Sequence, residues 1–187
     1  MNTLLIDNHD SFSYNLLHLL RSADRGLKVD IVRCEDVKEE DVLRARRVVV
    51  SPGPGLPYER EGLMQSIEWA VGRRPLLGVC LGHQAIAFHF GARLSQLKHP
   101  THGVRSELQR TSGPLFDGIA TTTVVRYHSW VVAEETLPLC LEATSYCNDG
   151  LVMSLQHKAL PIYGVQFHPE SFATTDGLQM IRNFYKL

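Results

Sequence analysis

The sequence predicts an α/β fold: a single domain with a largely parallel central sheet covered by helices, and additional mixed or antiparallel strands in the C-terminal half. In the first half, short apolar runs alternate with stretches of helical periodicity, the pattern of parallel strands joined by crossover helices. After residue 91 this changes to closely spaced strand-like runs. At 187 residues, 44% of them hydrophobic, the chain can bury a full core, and it shows no linker or repeat. We therefore expect residues 1–187 to form one domain.

The elements follow from these runs in order along the chain. Strands are predicted at about 3–6, 28–33, 47–50 and 75–79, and helices between them at about 12–22, 37–45, 61–71 and 82–90. The second half has predicted strands near 103–109, 122–127, 139–146, 150–156 and 161–167, then a helix over about 175–186. Asp10 and Ser11 are expected to cap the first helix, and residues 174–176 the last.

The segment Pro75–Gln84 leads from an apolar strand through a glycine-flanked cysteine into a helix. Gly78 and Gly82 leave room for a sharp strand-to-helix turn that presents the Cys80 side chain to a substrate. The backbone N–H of Leu81 points the same way. A cysteine at a helix N-terminus favours the thiolate, so this segment predicts a nucleophile; taken alone it also fits a small buried core cysteine.

A base and a carboxylate occur near the other end of the chain, at His168 and Glu170. Pro169 holds the chain extended, where alternate side chains fall on one side, so Glu170 can orient the imidazole. With Cys80 these residues are the parts of a thiol-nucleophile triad, although a solvated strand end is the simpler interpretation of the segment by itself.

A buried strand ends in a rigid loop at residues 48–57. Its prolines have no N–H, so backbone donors at the centre of the loop come from Gly53 and Gly55. One of them, together with the Leu81 N–H, could form an oxyanion hole, although such a loop is often only a turn. The segment is not a phosphate loop, because no Gly-Lys-Ser/Thr follows it.

Other polar residues are interpreted more conservatively. Gln84 comes one helical turn after Cys80 on the same face, so it can touch whatever the thiolate attacks. His83 is expected to pack against a neighbouring element. The set Asp7, His9 and Asp10 lies too close along an extended chain to converge on an ion, and we expect no metal.

Composition limits the partners and the compartment. The formal net charge of −1 predicts no general attraction to nucleic acid or to an anionic membrane. No apolar run is long enough to span a membrane, and the apolar start meets Asp7 too soon for a signal peptide. Four cysteines without metal-ligand spacing, in a chain too large to need disulfides, predict a reducing cytoplasm.

Taken in order, the Pro-Gly-Pro-Gly loop, Gly-Val-Cys-Leu-Gly-His-Gln at 78–84 and Gln-Phe-His-Pro-Glu-Ser at 166–171 resemble the class I, triad-type glutamine amidotransferases. The opening at 7–16 and His128-Ser129 are similar to the glutaminase subunit (component II) of anthranilate synthase and aminodeoxychorismate synthase. The resemblance implies that Cys80, His168 and Glu170 are catalytic, that Gly53, Pro54, Gly55 and Leu81 hold the oxyanion, and that Gln84, Ser129 and Trp130 contact glutamine.

The resemblance also implies a reaction and a partner. L-glutamine is expected to be hydrolysed to glutamate, without a cofactor, and the ammonia to pass to a chorismate-using synthase subunit in a heteromeric complex. Two further functions stay open: a stand-alone cysteine hydrolase or peptidase of similar fold, and a regulatory subunit that has lost catalysis. Two residues depart from the family pattern: Trp130 stands where leucine is usual, and Val104 where lysine is usual.

Overall fold

The computed structural model describes residues 2–119 and 122–187. Within these ranges the strands are β1 (Asn2–Asp7), β2 (Lys28–Arg33), β3 (Arg47–Val50), β4 (Leu76–Val79), β5 (Leu94–Gln96), β6 (Val104–Glu107), β7 (Thr123–Arg126), β8 (Trp130–Val132), β9 (Leu141–Tyr146), β10 (Val152–His157) and β11 (Ile162–Val165). The α-helices are α1 (Ser13–Ala23), α2 (Glu39–Arg44), α3 (Leu63–Ala70), α4 (Leu81–His89) and α5 (Gly177–Lys186).

In the described part of the chain, seven strands form the central sheet in the order β2-β1-β3-β4-β11-β10-β9. The first five of these pair in parallel, whereas β10 is antiparallel to both of its neighbours. Strand β4 lies between β3 and β11, so the segments that leave their carboxyl ends meet at one edge. Ligands bind at such an edge in open α/β sheets. The three sequence motifs all begin there.

Helices cover both faces of the sheet, and the side chains of each strand alternate between two apolar cores. Val49 and Leu77 belong to the core that contains residues of α1 and α5. Val48, Val50 and Leu76 belong to the core that contains residues of α2, α3 and α4. Because both faces are buried, the inner strands are continuous apolar runs instead of alternating ones. Two short antiparallel pairs, β5 with β8 and β6 with β7, lie outside this sheet.

The predicted fold class is confirmed, with differences in two places. The predicted helix over 37–45 is shorter: a 3-10 turn at Cys34–Asp36 precedes α2, because Val37 and Lys38 are extended. Strands β5 and β8 were not predicted; each has only three residues, too few to show a periodicity. No helix among the described residues is long and apolar enough to cross a membrane.

The expected helix caps are partly wrong. Helix α1 starts after Phe12, and the Asp10 carboxylate accepts the Phe12 N–H over 2.7 Å, so Asp10 contributes to the turn but Ser11 is not the cap. At α5 the residue before the helix, Asp176, makes no side-chain cap bond. The Thr174 hydroxyl instead donates to the backbone oxygen of His168 over 2.7 Å. The polar residues before α5 therefore brace the segment that carries the predicted base.

Candidate active site

Cys80 lies at the junction of β4 and α4 in a backbone conformation that non-glycine residues rarely adopt, with φ 52° and ψ −98°. Two glycines permit the turn. A Cβ on Gly78 would lie 2.3 Å from the carbonyl carbon of Gly82, and a Cβ on Gly82 would lie 2.7 Å from the Val50 oxygen. The sharp strand-to-helix turn predicted from the sequence is present. It makes Cys80 the N-cap of α4, where the helix dipole stabilises negative charge.

The Cys80 sulfur is surrounded by polar groups that come from the neighbouring elements. The backbone N–H of Cys80 donates to the backbone oxygen of Val165, at the end of β11, over 2.8 Å. The thiol faces the backbone oxygen of Tyr127 at 3.9 Å, and the side-chain amide of Gln166 donates toward the sulfur over 3.6 Å. The residue is only 5% exposed, so a substrate must enter the adjoining cavity to reach it.

His168 and Glu170 form a buried pair. The ring Nδ1 and the carboxylate Oε1 are 2.7 Å apart, and both side chains are at most 2% exposed. The backbone N–H of His168 donates to Val125 over 3.0 Å, and the ring has edge contacts with Phe12 and Tyr127 at centroid distances of 5.5 and 5.1 Å. The imidazole is therefore fixed both at its nitrogen and along its faces.

Burial alone lowers the pKa of His168, but the side chains of Cys80 and Glu170 outweigh it and hold that pKa well above its usual range. The ring Nε2 makes no hydrogen bond of normal geometry to the described residues. A thiol and an imidazole that interact electrostatically without a formed hydrogen bond are typical of an active site without substrate, where these bonds tighten only on binding.

The loop after β3 packs tightly against the turn that follows β1. A Cβ on Gly53 would lie 2.6 Å from the Asn8 Cβ and 2.8 Å from the Leu81 Cδ2, so only glycine fits there. The Asn8 side-chain amide donates to the Ser51 backbone oxygen over 2.8 Å. On the other side of the loop, Arg60 donates to the Pro54 oxygen through Nε and Nη2, over 2.9 and 2.7 Å.

These elements enclose a cavity of about 360 Å³, within the range of small-molecule sites. Its lining contains seven of the ten residues expected at the site: Gly53, Pro54, Gly55, Cys80, Gln84, Ser129 and Trp130. The other three are not part of the lining. His168 and Glu170 are buried, and the Leu81 side chain packs into the core, so Leu81 can act only through the free N–H of the first helical residue.

A buried amide network connects the cavity to the thiol, and part of it was missed from the sequence. The Gln84 amide donates to the Trp130 backbone oxygen over 2.8 Å and to the Gln166 side-chain oxygen over 3.1 Å. Gln166 in turn donates toward Cys80. Its position two residues before His168 could have identified it, because alternate residues of an extended chain share a side.

Two further buried histidines lie near the site, and their pKa values are lowered instead of raised. Burial lowers the pKa of His83 to about 3 and that of His128 to about 4, and for His128 the Arg126 charge adds to the effect. His83 packs against Gly164 of β11, as expected. Both rings are therefore neutral near pH 7, and among these three histidines only His168 has a raised pKa.

Comparisons with known proteins identify the family and the fold. The glutamine amidotransferase class-I family profile matches residues 4–187. Aminodeoxychorismate/anthranilate synthase component 2 of Bacillus subtilis is 40% identical over 185 residues, 97% of this chain and 94% of that protein. Aminodeoxychorismate synthase of Streptomyces griseus is 45% identical over all of this chain but only 26% of its own length. A solved protein of Thermoplasma acidophilum, described as a GMP synthase subunit, has a TM-score of 0.88 at 27% identity, over 100% of this chain and 92% of that one.

Proposed function

The chain belongs to the class-I glutamine amidotransferase family, and we propose that it hydrolyses L-glutamine and supplies the ammonia to a separate chorismate-using synthase subunit. The observation that carries the proposal is the strained Cys80 at the edge of a small cavity, next to a buried His168–Glu170 pair. A nucleophile, a base and a group that orients the base are the parts of a covalent hydrolase.

In the proposed reaction the Cys80 thiolate attacks the side-chain carboxamide carbon of glutamine. The resulting oxyanion accepts hydrogen bonds from the Leu81 N–H and from an N–H of the Gly53–Gly55 loop. His168 donates its proton to the departing nitrogen, so ammonia leaves and a thioester to Cys80 remains. The neutral imidazole then takes a proton from water, which attacks the thioester and releases glutamate and the thiolate.

The roles of the remaining site residues follow from where they lie. Glu170 keeps Nδ1 protonated and stabilises the imidazolium in both steps. Gln84, Ser129 and Trp130 line the cavity and are proposed to hold the substrate. The Trp130 backbone oxygen already accepts from Gln84, so a main-chain contact at this position does not depend on the leucine that is usual in the family.

The acceptor is proposed to be chorismate on a second subunit. The Bacillus subtilis relative carries both the aminodeoxychorismate and the anthranilate name, which supports a glutaminase that serves either product. In Streptomyces griseus the matching region is about a quarter of an aminodeoxychorismate synthase, which supports a close association with the synthase. The ammonia is therefore proposed to enter tryptophan synthesis, folate synthesis or both, according to the synthase subunit that receives it.

A stand-alone peptidase and a subunit without catalysis are less well supported. The family match favours glutamine hydrolysis over a peptidase. The cysteine, the raised pKa of His168 and its carboxylate partner favour an active enzyme over a purely regulatory chain.

We further propose that residues 1–187 form one amidotransferase domain, supported by the match over 4–187. A cytoplasmic location is also part of the proposal, from the cysteine usage of the sequence.

The decisive experiment uses the complex with its copurifying synthase subunit. Cys80→Ser should abolish product formation from glutamine and leave formation from added ammonium salt intact, because the thiolate only releases ammonia. The aromatic product, anthranilate or aminodeoxychorismate, identifies the pathway. Loss of the ammonium-dependent rate in an intact complex would contradict the proposed division of labour.

A further inference from the structure

His9, Cys34 and Glu35 bring three different metal-ligating groups together outside the catalytic cavity, with the cysteine buried and the other two residues exposed. An imidazole nitrogen, a thiol sulfur and a carboxylate oxygen of these residues lie within 4.8 Å of one another. They come from two separate connections, the β1–α1 turn and the 3-10 turn after β2. Among the described residues this is the one cluster of three or more such groups at that spacing.

The three groups already contact one another through the Glu35 carboxylate. His9 Nε2 is 2.8 and 2.9 Å from the two oxygens of Glu35, and the Cys34 thiol donates to Glu35 Oε2 over 3.3 Å. Tetrahedral zinc is bound at about 2.0–2.3 Å by the same kinds of atom, so side-chain shifts of about 1 Å or less would open a central position. A mixed nitrogen, sulfur and oxygen set is the donor chemistry of zinc; hard cations such as magnesium and calcium prefer oxygen alone.

We propose that His9, Cys34 and Glu35 bind one Zn²⁺ ion, with water in the fourth position. On binding, the Cys34 thiol loses its proton to solvent and the thiolate sulfur coordinates the ion. The expectation of no metal came from two patterns in the sequence: Asp7, His9 and Asp10 lie too close together along the chain, and the four cysteines, Cys34 included, lack metal-ligand spacing. Neither pattern describes ligands that the fold brings together from two separate turns. In the structure Asp7 Oδ1 is occupied by the N–H groups of His9 and Asp10 and by the Ser13 hydroxyl. Zinc binding here is independent of the proposed function.

The cluster contains one ionised and one protonated ligand. Burial and the Glu35 carboxylate raise the pKa of the Cys34 thiol to about 11. The Glu35 backbone N–H and the His9 ring lower the pKa of Glu35 to about 2, so this ligand is ionised throughout the neutral range. The positive charge of Arg60 lowers the pKa of the Cys34 thiol, but by less than burial and Glu35 raise it. Zinc must therefore displace the thiol proton to bind the sulfur.

A bound ion would join the turn after β1, which contacts the Gly53–Gly55 loop directly, to the 3-10 turn after β2, which is connected to that loop through the segment that carries Arg60. His9 follows Asn8, which packs against Gly53 and hydrogen-bonds to Ser51. On the other side, a Cβ on Gly62 would lie 2.1 Å from the Cys34 oxygen, so the 3-10 turn is packed against the segment that carries Arg60. The site therefore lies where a cation can stiffen both supports of the loop.

The test is cobalt and zinc titration of the full chain in a Cys80→Ser background, which removes the catalytic thiol as a competing ligand. We expect one Co²⁺ per chain, with a thiolate-to-cobalt charge-transfer band and tetrahedral d–d bands that one equivalent of Zn²⁺ abolishes. Adding Cys34→Ser should remove the charge-transfer band and weaken Zn²⁺ binding at least about tenfold. Cys140→Ser, which changes a partly buried cysteine outside the cluster, should leave both unchanged.

A second variant covers the case in which Cys34→Ser fails to fold. His9→Asn keeps a residue type that tolerates the left-handed backbone of His9, φ 59°, and should also weaken Zn²⁺ binding at least about tenfold while the charge-transfer band of bound Co²⁺ persists. Binding without a charge-transfer band, or Zn²⁺ affinity in both Cys34→Ser and His9→Asn equal to that of the parent chain, would overturn the proposal.

Discussion

Gln166 lies between the substrate cavity and the nucleophile and contacts both sides through one side chain. Its oxygen accepts from Gln84 and its nitrogen donates toward the Cys80 sulfur. A neutral amide donor at a developing thiolate stabilises the charge without competing for the proton that His168 handles. The same side chain also fixes Gln84, so Gln166 should affect both the reactivity of the thiol and the position of the substrate.

Gln166→Met, which keeps the length but removes the amide, should lower glutaminase turnover about ten- to a hundredfold, the effect of losing one hydrogen bond to a charged group. Alkylation of Cys80 by iodoacetamide should slow in parallel. Gln65→Met, on the exposed face of α3, is the matched control and should leave both rates unchanged. A normal alkylation rate in Gln166→Met would show that the amide does not act on the sulfur.

His168 and Glu170 should differ in how much activity their loss removes. His168→Ala is expected to be about as damaging as losing Cys80, because both proton transfers need the imidazole. Glu170→Gln should leave measurable activity, since orienting a base contributes less than being the base. Steady-state glutamate release measures the ranking. Equal Cys80 labelling by a glutamine-analogue diazoketone in wild type and His168→Ala would argue against assistance by histidine.

The raised pKa of His168 also has a consequence for stability. Because the pKa in the folded state exceeds the unfolded value, the imidazolium stabilises the folded chain below about pH 6.5, and this contribution is lost as pH rises through the folded-state value. Glu170→Gln should lower that pKa. The advantage of wild type over the variant in the free energy of unfolding should therefore shrink as pH rises above about 6.5 and through the folded-state pKa of His168. Urea denaturation at several pH values measures it, and a constant difference would contradict the assignment.

At the scale of elements, the sequence predicts the strand-turn-helix at Cys80 well because its determinants are local. Gly78 and Gly82 are close in sequence to the turn that they permit. Strand β8 depends on its pairing with β5, and the network of Gln84 depends on a contact with Trp130 across a sequence separation of 46 residues, so neither could be derived in the same way. The order of the strands supplies such contacts, and no local periodicity contains them.

The loop after β3 offers a test at this scale. Gly53→Ala would force a Cβ to within 2.6 Å of the Asn8 Cβ, so the loop must move and its N–H groups with it. Loss of one oxyanion donor lowers turnover on the order of 10²–10³-fold, and we expect an effect of that size on kcat with folding retained. Gly26→Ala is the control, because its new Cβ would meet only the Asp24 carboxylate at 3.5 Å. A wild-type kcat in Gly53→Ala would exclude the loop from the oxyanion hole.

At the scale of the whole molecule, the free chain should be a weak glutaminase that its synthase partner activates. An unpartnered glutaminase would lose ammonia to water, so control by the partner is expected, and we expect the Gly53–Gly55 loop to carry it. The Pro54 oxygen is held by two hydrogen bonds from Arg60. The peptide between Pro54 and Gly55 is planar and trans, so these bonds fix the Gly55 N–H in the opposite direction to the Pro54 oxygen. Turning this peptide over requires that the hydrogen bonds from Arg60 break.

Arg60→Ala should therefore raise glutamate release by the free chain and reduce the activation that the partner provides, because the partner would no longer have to break the Arg60 contact. Rates are measured with and without the synthase subunit, and with and without chorismate. Arg73→Ala, which removes an exposed arginine paired with Glu39, is the control. A free wild-type chain as fast as the complex would defeat the idea of gating. An unchanged free rate and an unchanged activation ratio in Arg60→Ala would instead place the gate elsewhere than at Pro54.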